Sequence, residues 1–171
     1  LDRMAVGGHR RQVDLGLELG AVVVVLVPRL GEALEELLAL EPGRYDITIF
    51  AAEPRVNYNR IMLSPVLSGE KSYEEIVTHD EDWYSANEIT LLKGNKVTAI
   101  DRAARKVFRE DGLVLDYDKL LLATGSHPFV LPIPGKDLPG VITYRDIHDT
   151  NAMIEAATQY KTEFLTEALA S

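Results

Sequence analysis

The chain has 171 residues, 46% of them hydrophobic, with a formal net charge of −9 and no cysteine. That length supplies one domain with a real core, and the negative charge argues against nucleic acid and anionic membrane surfaces as partners. The missing cysteines exclude a disulfide framework, a cysteine-held iron–sulfur cluster and a CxxC redox pair within these residues.

In chain order, the first apolar run, residues 21–27, is far short of the ~20 residues that span a bilayer. Asp14 and Glu18 interrupt the stretch before it and no small-residue cleavage site follows, so a cytoplasmic location is expected. Residues 22–27 read as a buried parallel strand: continuous, β-branched, bounded by Gly20 and Pro28. Residues 32–40 place Leu34, Leu37 and Leu38 at helical spacing between glutamates, and Glu41-Pro42-Gly43 stops the helix. Residues 46–50 form the next strand, completing a βαβ unit whose right-handed crossover puts both strands in one parallel sheet.

Residues 80–87 read as a short helix with Asp80 as N-cap and Trp83 and Tyr84 for packing. Residues 90–93 form a strand. The runs 96–101, 106–109 and 113–117, with an Asp111-Gly112 hairpin turn, form an antiparallel meander lying on the parallel sheet. Residues 119–123 return to a buried strand that exits through Thr124-Gly125-Ser126. Residues 128–139 hold four prolines and form an ordered loop, and residues 146–160 form a last helix capped by Asp146 or Asp149. No nucleophile elbow or phosphate loop is present. The carboxylates of 74–82 read as a solvated face or cap, and His79 and His127 as loop residues rather than metal ligands.

The stretch 52–64, Ala-Glu-Pro-Arg-Val-Asn-Tyr-Asn-Arg-Ile-Met-Leu-Ser, directly follows the strand 46–50. An acidic residue at the end of a second Rossmann strand receives a ribose hydroxyl pair, and an arginine shortly after it holds a pyrophosphate with a planar fork of donors. Glu53 and Arg60 stand in those places. Their plainer readings are a turn glutamate before Pro54 and a surface arginine paired with a carboxylate.

Together with residues 37–50, Ile76-Val-Thr-His-Asp80, Trp83-Tyr84 and the segment 117–128 around Ala123-Thr-Gly125, this loop resembles the flavoprotein part of the assimilatory NAD(P)H-dependent nitrite reductase large subunit. That family lies in the ferredoxin-reductase-like branch of the pyridine nucleotide-disulfide oxidoreductase fold, and the likeness runs over roughly residues 34–161. It implies an α/β, Rossmann-like FAD-binding domain, a parallel sheet flanked by helices with a small antiparallel meander.

The resemblance also implies a site. Glu53 binds ribose, Arg60 the pyrophosphate or flavin, Asn59 and Ser64 hydrogen-bond near the flavin, Val97 offers its backbone to adenine, and Thr124 and Gly125 close the strand against the cofactor. Pro65 stands where relatives carry a flavin-contacting lysine. In the full-length family member NAD(P)H reduces FAD, and electrons pass through a 4Fe-4S centre to sirohaem, where nitrite becomes ammonium. The nitrite reductase small subunit or another electron-transfer protein is the implied partner. A stand-alone ferredoxin- or rubredoxin-reductase-type flavoprotein is a second reading, and a non-catalytic remnant a third.

The remnant reading has its reason in the first strand-to-helix turn. The resemblance places glycines at about residues 25, 27 and 30, where this chain has Val25, Val27 and Leu30. Both ends, before about residue 34 and after residue 161, are therefore expected to be frame-altered, with residues 1–20 an atypical, poorly ordered extension. Residues 21–161 are the incomplete FAD/NAD(P)-binding-like domain, and residues 162–171 an atypical tail that replaces the nicotinamide-binding half.

Overall fold

The computed structural model describes residues 20–25 and 30–170. Its first unit is strand β1 (Gly20–Val25), helix α1 (Leu30–Leu40) and strand β2 (Tyr45–Ala51). The valine run of β1 pairs in parallel with β2, Val22 opposite Ile47 and Val25 opposite Phe50. β1 thus begins two residues before the expected strand. The expected residues 26 and 27 lie outside those described, as do residues 1–19.

Among the described residues the parallel sheet is completed by β3 (Thr90–Lys93) and β7 (Lys119–Leu122), in the order β3-β2-β1-β7. The antiparallel meander is β4 (Val97–Asp101), β5 (Lys106–Arg109) and β6 (Val114–Asp116). The hairpin turn is the expected one: Gly112 has φ +89° and donates to the Arg109 carbonyl at 3.0 Å. That backbone region is open to glycine at little cost.

β2 is the centre of the packing because its alternating side chains meet a different layer on each side. Ile47 and Ile49 pack with Leu34 of α1 and with Tyr84 and Ile89. Phe50, on the opposite face, packs with Val107 of β5 and with Leu92, Ile100, Leu115 and Tyr117. Helices therefore cover one face of the sheet and the meander covers the other.

Helix α3 (Glu81–Ala86) has the expected N-cap, Asp80 accepting the Trp83 N–H at 2.8 Å. Trp83 and Tyr84 pack edge to face, ring centroids 5.1 Å apart, against the α1 layer.

Two expectations need correction. The strand 119–123 forms but is not buried: β7 is the sheet edge, and Leu121 and Leu122 are 43% and 58% exposed. An apolar run reports strand propensity, not which strand neighbours exist. The last helix, α4 (Ile147–Ala170), continues past residue 160 through nearly all of the expected tail. Residues 161–170 contain no glycine or proline to stop it. Asp146 supplies its cap, accepting the Asp149 N–H at 3.0 Å, while Asp149 accepts the Arg145 N–H at 2.7 Å.

Candidate functional site at the end of β2

The site grows from the carboxyl end of β2. The Gly94 N–H reaches the carbonyls of Ala51 and Glu53 at 2.9 and 3.2 Å, fixing the chain as it leaves the sheet. Further on, the Asn59 N–H bonds Ile76 O at 2.8 Å and the Thr78 N–H bonds Asn57 O at 3.0 Å, so 57–59 is held as a short ladder against 76–78. A 3-10 turn at Arg60–Met62 and the short helix α2 (Leu63–Leu67) follow, two elements that sequence periodicity did not anticipate. Tyr58, Leu63, Val66 and Ile76 form their own core with Ile147 of α4.

Within this scaffold Glu53 and Arg60 face each other. One Glu53 oxygen pairs with Arg60 Nη2 and the other accepts the Tyr58 hydroxyl at 2.8 Å. Both side chains keep part of their surface, 30% for Glu53 and 19% for Arg60. Arg60 Nε is buried and has no partner among the described residues, so the guanidinium retains a free donor. Burial pushes the Tyr58 hydroxyl well above the ordinary tyrosine range, although the Ile147 N–H bonded to it acts the other way. The phenol is therefore a fixed donor at any physiological pH.

The other expected residues are placed as follows. Asn59 accepts the Ile61 N–H at 3.0 Å, capping the 3-10 turn. The Ser64 hydroxyl lies 3.2 Å from that of Tyr144. Val97 pairs with Arg109 in the meander and packs beside Phe50 and Val107. Thr124 and Gly125 are exposed beyond β7, with Gly125 at φ +64°. So Glu53, Asn59 and Arg60 are gathered at one strand end, Ser64 follows one turn later, and Val97, Thr124 and Gly125 lie outside that bonded group.

Segment 143–147 connects the two regions. Besides the Tyr144–Ser64 contact, Arg145 Nε donates to Ser126 O at 3.1 Å, and the Ile147 N–H donates to the Tyr58 hydroxyl at 3.1 Å. Sequence reasoning singled out none of Tyr58, Tyr144 or Arg145. Its one available signal was an aromatic residue set between two asparagines in a polar loop.

An open groove of about 670 Å³ flanks the loop, lined in part by Pro54, Arg55, Tyr73, His79, Trp83 and Lys93, and by none of the expected site residues. His79 is buried there, its Nε2 2.8 Å from Glu35 of α1 and its ring 4.0 Å from that of Trp83. Among the described residues no group of histidine and acidic side chains is arranged for a metal ion, and no helix is long and apolar enough to cross a membrane.

A parallel sheet with a helical crossover from β1 to β2, and a carboxylate and an arginine set just past β2, define a Rossmann-like α/β domain. The family profile "Pyridine nucleotide-disulphide oxidoreductase" matches residues 32–165. The chain belongs to that family.

It is 46% identical over 129 residues to "Nitrite reductase [NAD(P)H]" of Bacillus subtilis, covering 75% of this chain and 16% of that protein. It is 44% identical over 128 residues to the "Assimilatory nitrate reductase electron transfer subunit" of the same organism, covering 75% and 17%. Among solved structures it superposes on the covalent putidaredoxin reductase–putidaredoxin complex with a TM-score of 0.70 at 28% identity, over 80% of this chain and 34% of that one. The chain thus spans only a minor part of the length of each of these relatives.

Proposed function

We propose that this chain is the FAD-binding portion of an NAD(P)H-dependent oxidoreductase of the nitrite reductase large-subunit kind, in which electrons from NAD(P)H reduce nitrite to ammonium. The observation that carries the reading is the Glu53–Arg60 pair at the end of β2, with a buried guanidinium N–H left without an acceptor among the described residues. A dianionic pyrophosphate is the acceptor a planar fork suits best.

In this reading residues 21–161 form the cofactor-binding unit. Glu53 receives the ribose hydroxyls and Arg60 the pyrophosphate. Asn59 and Ser64 hold the loop beside the flavin, the Val97 backbone meets adenine, and Thr124 and Gly125 close the strand end. FAD, when bound, supplies the two-electron to one-electron redox chemistry, and these residues bind and orient it. Sirohaem and the 4Fe-4S centre belong to the remainder of the whole protein. The small subunit or another electron-transfer protein is the partner, and the cytoplasm the location.

Titration of the purified chain with FAD, followed by quenching of flavin fluorescence, tests the reading. A yellow, stoichiometric complex is expected, and Arg60→Ala should weaken it roughly ten- to hundredfold, the loss of hydrogen bonds to a charged group. A colourless chain that takes up no FAD would favour the remnant instead. Val25 at the end of β1, where the resemblance expects glycine, is the observation on that side.

A further inference from the structure

We infer that Tyr58 is a positioning residue that couples the docking of α4 to the occupancy of the Glu53–Arg60 pair. The inference rests on the reading that this pair holds a flavin nucleotide, and it adds a means of communication between that site and a helix that begins at residue 147.

The geometry is specific. Tyr58 is 2% exposed, its ring packed edge to face on Tyr73 with centroids 5.7 Å apart. A phenolic hydroxyl carries one proton and accepts through its lone pairs. The Ile147 N–H can only donate, so at 3.1 Å it takes a lone pair, and the proton is directed to Glu53 Oε2 at 2.8 Å. Glu53 in turn holds Arg60 through its other oxygen. The chain of contacts therefore runs from the first amide of α4, through one hydroxyl, to the carboxylate and guanidinium.

Ile147 opens the helix, so its N–H is one of those with no intrahelical acceptor. α4 does not need Tyr58 in order to begin: Asp146 already caps it, accepting the Asp149 N–H, and the Asp146 carbonyl accepts the Thr150 N–H at 3.0 Å. The Tyr58 bond serves to tie an already formed helix end to the loop. Two further links, Tyr144 to Ser64 and Arg145 to Ser126, fasten the same segment to the loop and to the exit of β7. A ligand that orders Glu53 and Arg60 thereby orders the start of α4, and by reciprocity a well-docked α4 tightens the ligand.

The test uses the full chain and its Tyr58→Phe variant, which keeps the ring and removes only the hydroxyl. FAD affinity is measured by fluorescence titration, and amide hydrogen exchange of residues 144–150 is followed with and without FAD. In the wild type FAD should slow exchange at Ile147 several-fold. In the variant the thermal midpoint should fall by several degrees, because the buried Ile147 N–H loses its acceptor; beyond that, FAD should bind about tenfold more weakly, and FAD should no longer protect Ile147. Unchanged FAD affinity, or equal protection of Ile147 in both proteins, overturns the coupling.

Should Tyr58→Phe impair folding, Glu53→Gln read alone decides: its neutral amide loosens the grip on both Tyr58 and Arg60, so saturating FAD should protect Ile147 less than in the wild type. Undiminished protection of Ile147 by FAD in Glu53→Gln overturns the link. Failure of the underlying reading looks different, because the wild type itself then binds no FAD and the coupling falls with it.

Discussion

Gly31→Ala should destabilise the protein even though it replaces the poorest helix former but proline with the best. In an exposed helix interior the exchange would gain about 1 kcal/mol. Gly31, however, lies in the first turn of α1, where an added Cβ would come 2.6 Å from His79 Cε1, 3.0 Å from His79 Nδ1 and 3.2 Å from Asn57 Nδ2. The imidazole is held on several sides. It is 7% exposed, tilted against Trp83 at 4.0 Å and edge-on to Tyr84 at 6.3 Å by ring centroids, and bonded to Glu35 at 2.8 Å. Asn57 is held by Thr78 at 3.0 Å.

Overpacking of this kind costs about 1–3 kcal/mol, and pushing the ring aside also loosens the bond to Glu35, about 1 kcal/mol. Setting these against the helix gain leaves a net loss of about 1–3 kcal/mol. At about 2–4 °C per kcal/mol for a chain this long, the midpoint should fall by roughly 2–12 °C. Urea unfolding followed by the emission of Trp83, the single tryptophan, measures it at the site of the clash. The same exchange in a His79→Ala background should be neutral or stabilising. A Gly31→Ala protein as stable as the wild type, or an equal loss without the imidazole, would refute the claim that α1 is seated on His79.

Two further outcomes follow from the core and the meander. Ile49→Ala removes a side chain with no exposure at the centre of β2 and should cost about 2–5 kcal/mol in urea unfolding. The Asp111 carboxyl, hydrogen-bonded by the Arg109 guanidinium beside the hairpin turn, is held down at about 2, so an NMR titration should place its midpoint there. A depressed carboxyl adds stability above the ordinary range near ~3.9 that is lost as pH falls through the folded value, so the hairpin should loosen between roughly pH 4 and 2. A midpoint near 4 would show that the pair does not persist in solution.

How much of this was legible in the sequence depends on the range of the interaction that decides each feature. The αβ alternation, the edges of β3 and β5, the Asp80 cap and the Asp111-Gly112 turn were all readable, because each is set within a few residues. The 3-10 turn at Arg60–Met62 and α2 escaped notice because so short a run, with Pro65 inside α2, displays no period. The exposure of β7 escaped because Leu120-Leu-Leu122 looks the same whether a neighbouring strand or solvent lies beside it.

The site divides along the same line. Glu53 and Arg60 could be proposed from position alone, since a strand end fixes the first and a seven-residue loop delivers the second. What holds them could not. The hydroxyl that orients Glu53 takes its other bond from an amide 89 residues further along the chain, and no local pattern distinguishes that tyrosine from one that merely packs. A carboxylate left with only Arg60 would be free to swing with a long, flexible partner, and exposed pairs of that kind contribute about 0–1 kcal/mol. Fixing one oxygen from a buried, unionised phenol removes that freedom before any ligand arrives, and preorganisation of this sort is what converts a charge pair into a binding site. If Tyr58 does this, its hydroxyl matters to ligand affinity as well as to the stability of the fold, so Tyr58→Phe should lower both, whereas a core variant such as Ile49→Ala should lower stability alone.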